Sequence, residues 1–100
     1  MGRCKITVIK TLYYPDLAAQ YPPYETGCCQ TMKEGDVFFT GGPYGVDMPE
    51  GFCPAAWRAI FSFACEYASG GKVYGYDRHL VACPDGVRPV LLQLEQALEN

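Results

Sequence analysis

The sequence predicts an α+β fold, one long helix packed on a small, mostly antiparallel sheet, making a single compact domain over residues 1–100. Three observations carry that prediction. The elements read in the order strand, short helix, strand, long helix, strand, strand, which places one substantial helix among strands that can pair as neighbours. A chain of 100 residues is long enough to bury one core without staples. Its composition, 49% hydrophobic and 19% charged, is apolar-rich for a globular chain and leaves much surface to cover.

The stretch "CKITVIKTLYY" alternates as a strand from Cys4 to about Leu12, with apolar groups on both faces, so a central place in the sheet is expected. "PDLAAQY" follows as at most two helical turns, started by Pro15 and stopped by Pro22-Pro23. Residues 21–35 read as a loop. "DVFFT" is a short strand closed by Gly41-Gly42-Pro43, and the segment to Gly51 is irregular. The main helix runs from Pro54 to about Ser69 and is stopped by Gly70-Gly71. Its polar residues Arg58, Ser62, Glu66 and Ser69 form one narrow stripe, which predicts burial on more than one side. A hairpin closes the chain, with strands Arg78 to Cys83 and Val87 to about Leu94 around a Pro-Asp-Gly turn. Pro89 has no amide hydrogen, so its part of the strand is expected on a sheet edge or at a bulge. The final "QALEN" reads as a last helical turn.

Eight basic residues against eleven acidic ones leave a formal charge of -3, and the basic residues are scattered. That distribution speaks against nucleic acid as a partner. No apolar run approaches the ~20 residues of a membrane span, and the N-terminus is too charged for a secretory signal, so a cytoplasmic protein without membrane contact is expected. In that compartment the six cysteines, Cys4, Cys28, Cys29, Cys53, Cys65 and Cys83, are expected as free thiols.

The blocks "CKITV", "KEGDVF" (33–38), "MPEGFCPAAW" (48–57) and "CPDGVRPV" (83–90) resemble those of a family of short bacterial and archaeal proteins without an established activity. The resemblance implies a fold unit and a set of recurring positions. The family pattern often has a tryptophan where this chain has Ala55, which implies a larger or differently filled pocket here if that ring lines one.

Chemistry-bearing residues gather in the last two blocks. Cys53 precedes Pro54 and so falls at the N-cap of the long helix, where free amides and the helix dipole favour a thiolate. It is the first candidate for a catalytic nucleophile or redox thiol, against the alternative of a small apolar residue under the loop. Asp85 in the turn and His79, the one histidine, are the other catalytic candidates. Asp85 has a purely local alternative, bonding the amides that follow it, and His79 that of a half-exposed strand residue. Arg88 is placed to orient a carboxylate or phosphate through its fork, or to pair with Asp85. Met48, Trp57 and Cys83 complete the expected ligand-binding wall. The chain has no CxxC, so no metal site is expected, and if one forms its ligands would be Cys28, Cys29, Cys53 and Cys83.

Three functions remain open on these residues, and no cofactor is indicated. The first is a small-molecule-binding or accessory enzymatic protein, with a pocket for a small anionic ligand between the 41–53 loop, the start of the helix and the 83–88 turn. The second is a non-catalytic structural or interaction subunit, and the third a thiolate metal or iron-sulfur protein. The apolar helix and the tyrosine-rich loops also predict a homo-oligomer, with a dimer favoured.

Overall fold

Residues 2–97 are described by a computed structural model. Within it, strands β1 (Arg3–Thr11), β2 (Val37–Phe39), β3 (Arg78–Ala82) and β4 (Val90–Ala97) form one sheet in the order β2-β1-β4-β3. Every pairing is antiparallel. The two long strands lie in the middle, as the apolar groups on both faces of β1 require.

Register assigns the two faces. Cys4, Ile6 and Val8 of β1 and Val90, Leu92 and Leu94 of β4 point to one side and are buried. Helix α2 (Pro54–Ala68) covers them with Ala56, Ile60, Ala64, Tyr67 and Ala68. Three of those five are alanines, so the helix axis comes close to the sheet, and Ile60 and Tyr67 fill what remains. Burying the larger side chains here contributes roughly 1.5–3 kcal/mol each. The opposite face is open and mixes polar with exposed apolar side chains. Phe39, Lys5, Glu95 and Arg78 align across the four strands, with Val37, Thr7, Gln93 and Leu80 in the next row. Gln93 bridges its neighbours, donating to Glu95 Oε2 at 2.8 Å and accepting from Arg78 Nη1 at 3.4 Å.

Helix α2 is buried on one side only, contrary to the expectation from its narrow polar stripe. Ala55, Ala59 and Phe61 join Arg58, Ser62, Glu66 and Ser69 on the exposed side. Small alanines and a solvent-tolerant ring widen the outward face without needing a cover. The helix start agrees with the sequence, with Cys53 at the N-cap in extended backbone (φ -71, ψ 122) and Pro54 first inside. A short helix α1 (Pro15–Gln20) lies between β1 and the 21–36 loop, which sends Met32 into the core. In the 41–51 segment a 3-10 turn forms at Pro43–Gly45 and Gly41 bridges Asp47.

Two boundaries near the C-terminus move. The last strand begins at Val90 rather than Val87. Asp85 Oδ1 captures the amides of Val87 and Arg88, both at 3.0 Å, and Pro89 has none to give, so the two-sided ladder starts only after it. On the β1 side single bonds still reach Pro89 and Val87 from Leu12 and Tyr14, at 2.9 and 3.0 Å. Pro89 thus precedes an interior strand instead of lying within an edge strand. Gln96 and Ala97 belong to β4 and form no helical turn, and the rest of the expected turn lies outside the described residues.

Candidate functional site

The antiparallel layout separates two ends of the molecule. A methyl built on Gly2 would sit 3.0 Å from the carbonyl oxygen of Ala68 and 3.4 Å from that of Ala97, so the C-terminal end of α2 lies over the start of β1 and the end of β4. A helix of 15 residues is about 22 Å long at the α-helical rise, which puts its N-terminus over the other end of the sheet.

That N-terminal end holds most residues singled out in the sequence. Asp85 is engaged by the two amides just described. Arg88 donates from Nε to the carbonyl of Gly27 at 2.8 Å and from Nη2 to that of Cys28 at 2.9 Å, with Glu25 at 3.7 Å. Its side chain is 12% exposed, and its fork is occupied in holding the 25–28 loop. Cys83 closes the start of the ladder, its amide donating to Val90 at 2.9 Å while its Sγ accepts the Val90 amide at 3.3 Å. Cys53 makes no capping hydrogen bond with its side chain, and both Cys53 and Cys29 are half-buried against the core. Cys28 is exposed, its Sγ 3.8 Å from the carbonyl of Thr11. All six cysteines are free. Among the described residues no three His, Cys, Asp or Glu side chains converge as a metal site. Met48 is exposed, and Trp57 belongs to an edge-to-face ladder in which it contacts Phe52 at 6.2 Å and Phe61 at 5.4 Å between ring centroids.

His79 lies away from this group. It pairs with Leu94 on the helix side of β3 and packs edge-on against Phe63 at 5.2 Å and Tyr74 at 5.6 Å. Phe63 and Tyr74 are 6.4 Å apart, closing a triangle of rings. Beside it opens a cleft of about 270 Å³ lined by Ser62, Phe63, Glu66, Lys72, Val73 and Tyr74.

The chain builds this cleft by folding back over the last turns of α2. Gly70 takes φ +91 and lets the chain reverse, and the Gly71 amide donates to the Glu66 carbonyl at 2.9 Å. Tyr74 and Gly75 both have positive φ, as a type I′ turn demands, and Val73 bridges Tyr76 across them. Tyr67 anchors that turn from beneath, its hydroxyl donating to the Tyr76 carbonyl at 2.9 Å. Burial pushes the Tyr67 phenol up, so it stays a donor. At the rim Lys72 and Asp77 pair at 2.8 Å, which raises the lysine and lowers the carboxyl. Glu66 lies against Gly71, where any methyl would overlap its carboxylate. Among the described residues that carboxylate has no hydrogen-bond or ion-pair partner. In the sequence Glu66 belongs to the narrow polar stripe of the helix, and Phe63, Lys72 and Tyr74 are not among the expected site residues. The available signal was Ser62 and Glu66 one turn apart, followed by the Gly-Gly reversal and a lysine.

No family model, curated protein or solved structure matches this chain.

Proposed function

We propose that this chain is a small-molecule-binding domain that seats a compact organic cation in the cleft between the C-terminal half of α2 and the 72–77 turn. The observation that carries the reading is an unpartnered carboxylate, Glu66, lining a cleft together with Phe63 and Tyr74, whose rings pack on His79. Lys72 and Asp77 neutralise each other, so Glu66 leaves the local charge at one negative unit. An ammonium or guanidinium ligand complements that charge and gains from the ring faces, worth about 0.5–2 kcal/mol per well-placed contact. A volume of about 270 Å³ lies at the small end of ligand sites and suits a ligand no larger than a small aromatic amine. Small-molecule binding was expected from the sequence around Arg88, with an anionic ligand. The cleft lies at the other end of the molecule and suits the opposite charge, and Arg88 already donates to the carbonyls of Gly27 and Cys28.

The test is a titration followed by NMR with two probes matched in size, phenethylammonium and phenylacetate. The ammonium should shift the signals of Phe63, Tyr74 and His79 saturably, and the carboxylate should not. Glu66→Gln should abolish the response, and Gly71→Ala should weaken it by displacing the carboxylate without removing its charge. Shifts confined to Trp57, Cys53 and Arg88, or none with either probe, overturn the reading. An interaction-subunit reading keeps one observation of its own, the open edge of β3.

A further inference from the structure

We infer that the β3 edge is a self-pairing surface, and that a second copy of this chain adds its own β3 antiparallel across a two-fold axis at Leu80. The inference is independent of the cleft. Its basis is the direction of the backbone groups. The Cys83 amide donates to the Val90 carbonyl at 2.9 Å, and the register runs without a shift from there to Arg78↔Glu95. Bonded and non-bonded positions alternate in an antiparallel ladder, so Cys83, Val81 and His79 address β4. Arg78, Leu80 and Ala82 therefore turn their N–H and C=O groups outward, and among the described residues no other backbone group meets them.

Symmetry fixes how a second copy meets that row. Centring the axis on Leu80 sets Arg78 opposite Ala82 of the second copy and Leu80 opposite its equivalent, and each outward donor then faces an outward acceptor. No like charges oppose, since the strand's charged residue faces an alanine. The half-exposed Leu80 side chains meet across the axis, and on the helix side His79 lies opposite Val81 of the second copy. β3 carries no proline, lysine or bulge, and its one charge, Arg78, stands at its first position. The other edge differs. β2 has three residues, and beyond them the β1 backbone is engaged by Thr40, whose amide reaches the Cys4 carbonyl at 3.1 Å and whose Oγ1 accepts the Cys4 amide at 2.9 Å. The open face mixes exposed Val37, Phe39 and Leu80 with charged and amide side chains, and only the edge presents unpaired backbone groups, so the edge is the surface for a second copy.

Light scattering on the purified chain should give twice the 11.1 kDa chain mass at high micromolar concentration, relaxing toward the monomer on dilution. Leu80→Pro removes one outward donor and leaves the β4 bonds in place, and Leu80→Lys sets like charges across the axis. Both should be monomers with unchanged far-ultraviolet circular dichroism. If either fails to fold, hydrogen exchange on the unaltered chain decides. The amides of Arg78, Leu80 and Ala82 should be protected at high concentration and exchange freely on dilution, with His79 and Val81 protected throughout. A monomer at every concentration, a dimer that survives both substitutions, or exchange at these three amides that ignores concentration overturns the inference. A dimer whose protection falls elsewhere does so as well.

Discussion

Arg88 binds two carbonyls that lie 61 and 60 positions away in sequence, and that contact decides how the 83–90 block should be read. The planar guanidinium matches two acceptors at once, and lysine cannot reproduce the fork. Arg88→Lys should therefore lower stability by about 1–3 kcal/mol, read from urea midpoints, and should speed proteolysis within the 21–31 loop. An Arg88 that served a ligand instead would leave both unchanged. Tyr67→Phe is its counterpart at the other end. Losing one bond to the Tyr76 carbonyl should cost about 0.5–1.5 kcal/mol and broaden the signals of Tyr74 and His79, while the core stays packed. Among the thiols, exposure sets the order of alkylation. Cys28 should label first and the fully buried Cys4 only on unfolding, by peptide mass spectrometry across a denaturant series.

At the scale of elements, most of the fold was legible because local rules and tertiary packing agree there. The alternation of β1, the Pro54 start and Gly-Gly stop of α2, and the β3 strand all lie within two residues of where periodicity and punctuation put them. The misreadings share a physical cause. The start of β4 was set by side-chain bonds from Asp85, and the buried Met32 by a loop whose course no period reveals. The outward side of α2 is wider than its polar stripe because Ala55, Ala59 and Phe61 also face solvent, where small side chains and one ring are tolerated. The cleft escaped for the same reason as Met32, being made by a chain reversal and a two-residue turn. Closeness of α2 to its neighbours gives an element-scale prediction. Gly45 has φ +68, and a methyl there would lie 2.5 Å from Ala68 Cβ and 2.7 Å from Thr40 Oγ1. Gly45→Ala combines backbone strain with overpacking and should lower the thermal midpoint by several degrees or more. Ala59→Leu, on the exposed side of the same helix, should change it little.

The whole molecule carries an alkaline weakness that follows from where its ionisable core groups lie. Cys4 points from β1 into the contact between sheet and helix, and burial pushes its thiol up to about 12, with the charges of Cys65 and Glu95 adding to the rise. Burial also raises Cys65 and Tyr67 on the facing helix. All three are favoured in their neutral, protonated forms by folding. In the unfolded chain the thiols ionise near pH ~8.5, so above that value the unfolded state binds fewer protons than the native one and the slope of unfolding free energy against pH is negative. The stabilisation is complete below the unfolded value and is lost as pH rises toward the native one. Urea midpoints should thus fall steadily between about pH 8 and pH 11, in a range where a core of aliphatic residues alone would be indifferent. Cys4→Ser separates this cause from general alkaline damage, because the hydroxyl keeps the size and does not ionise there. The variant should start less stable at neutral pH yet lose less on going to high pH, so that the two curves converge. Parallel curves would mean that the Cys4 thiol is ionised as readily in the folded core as outside it.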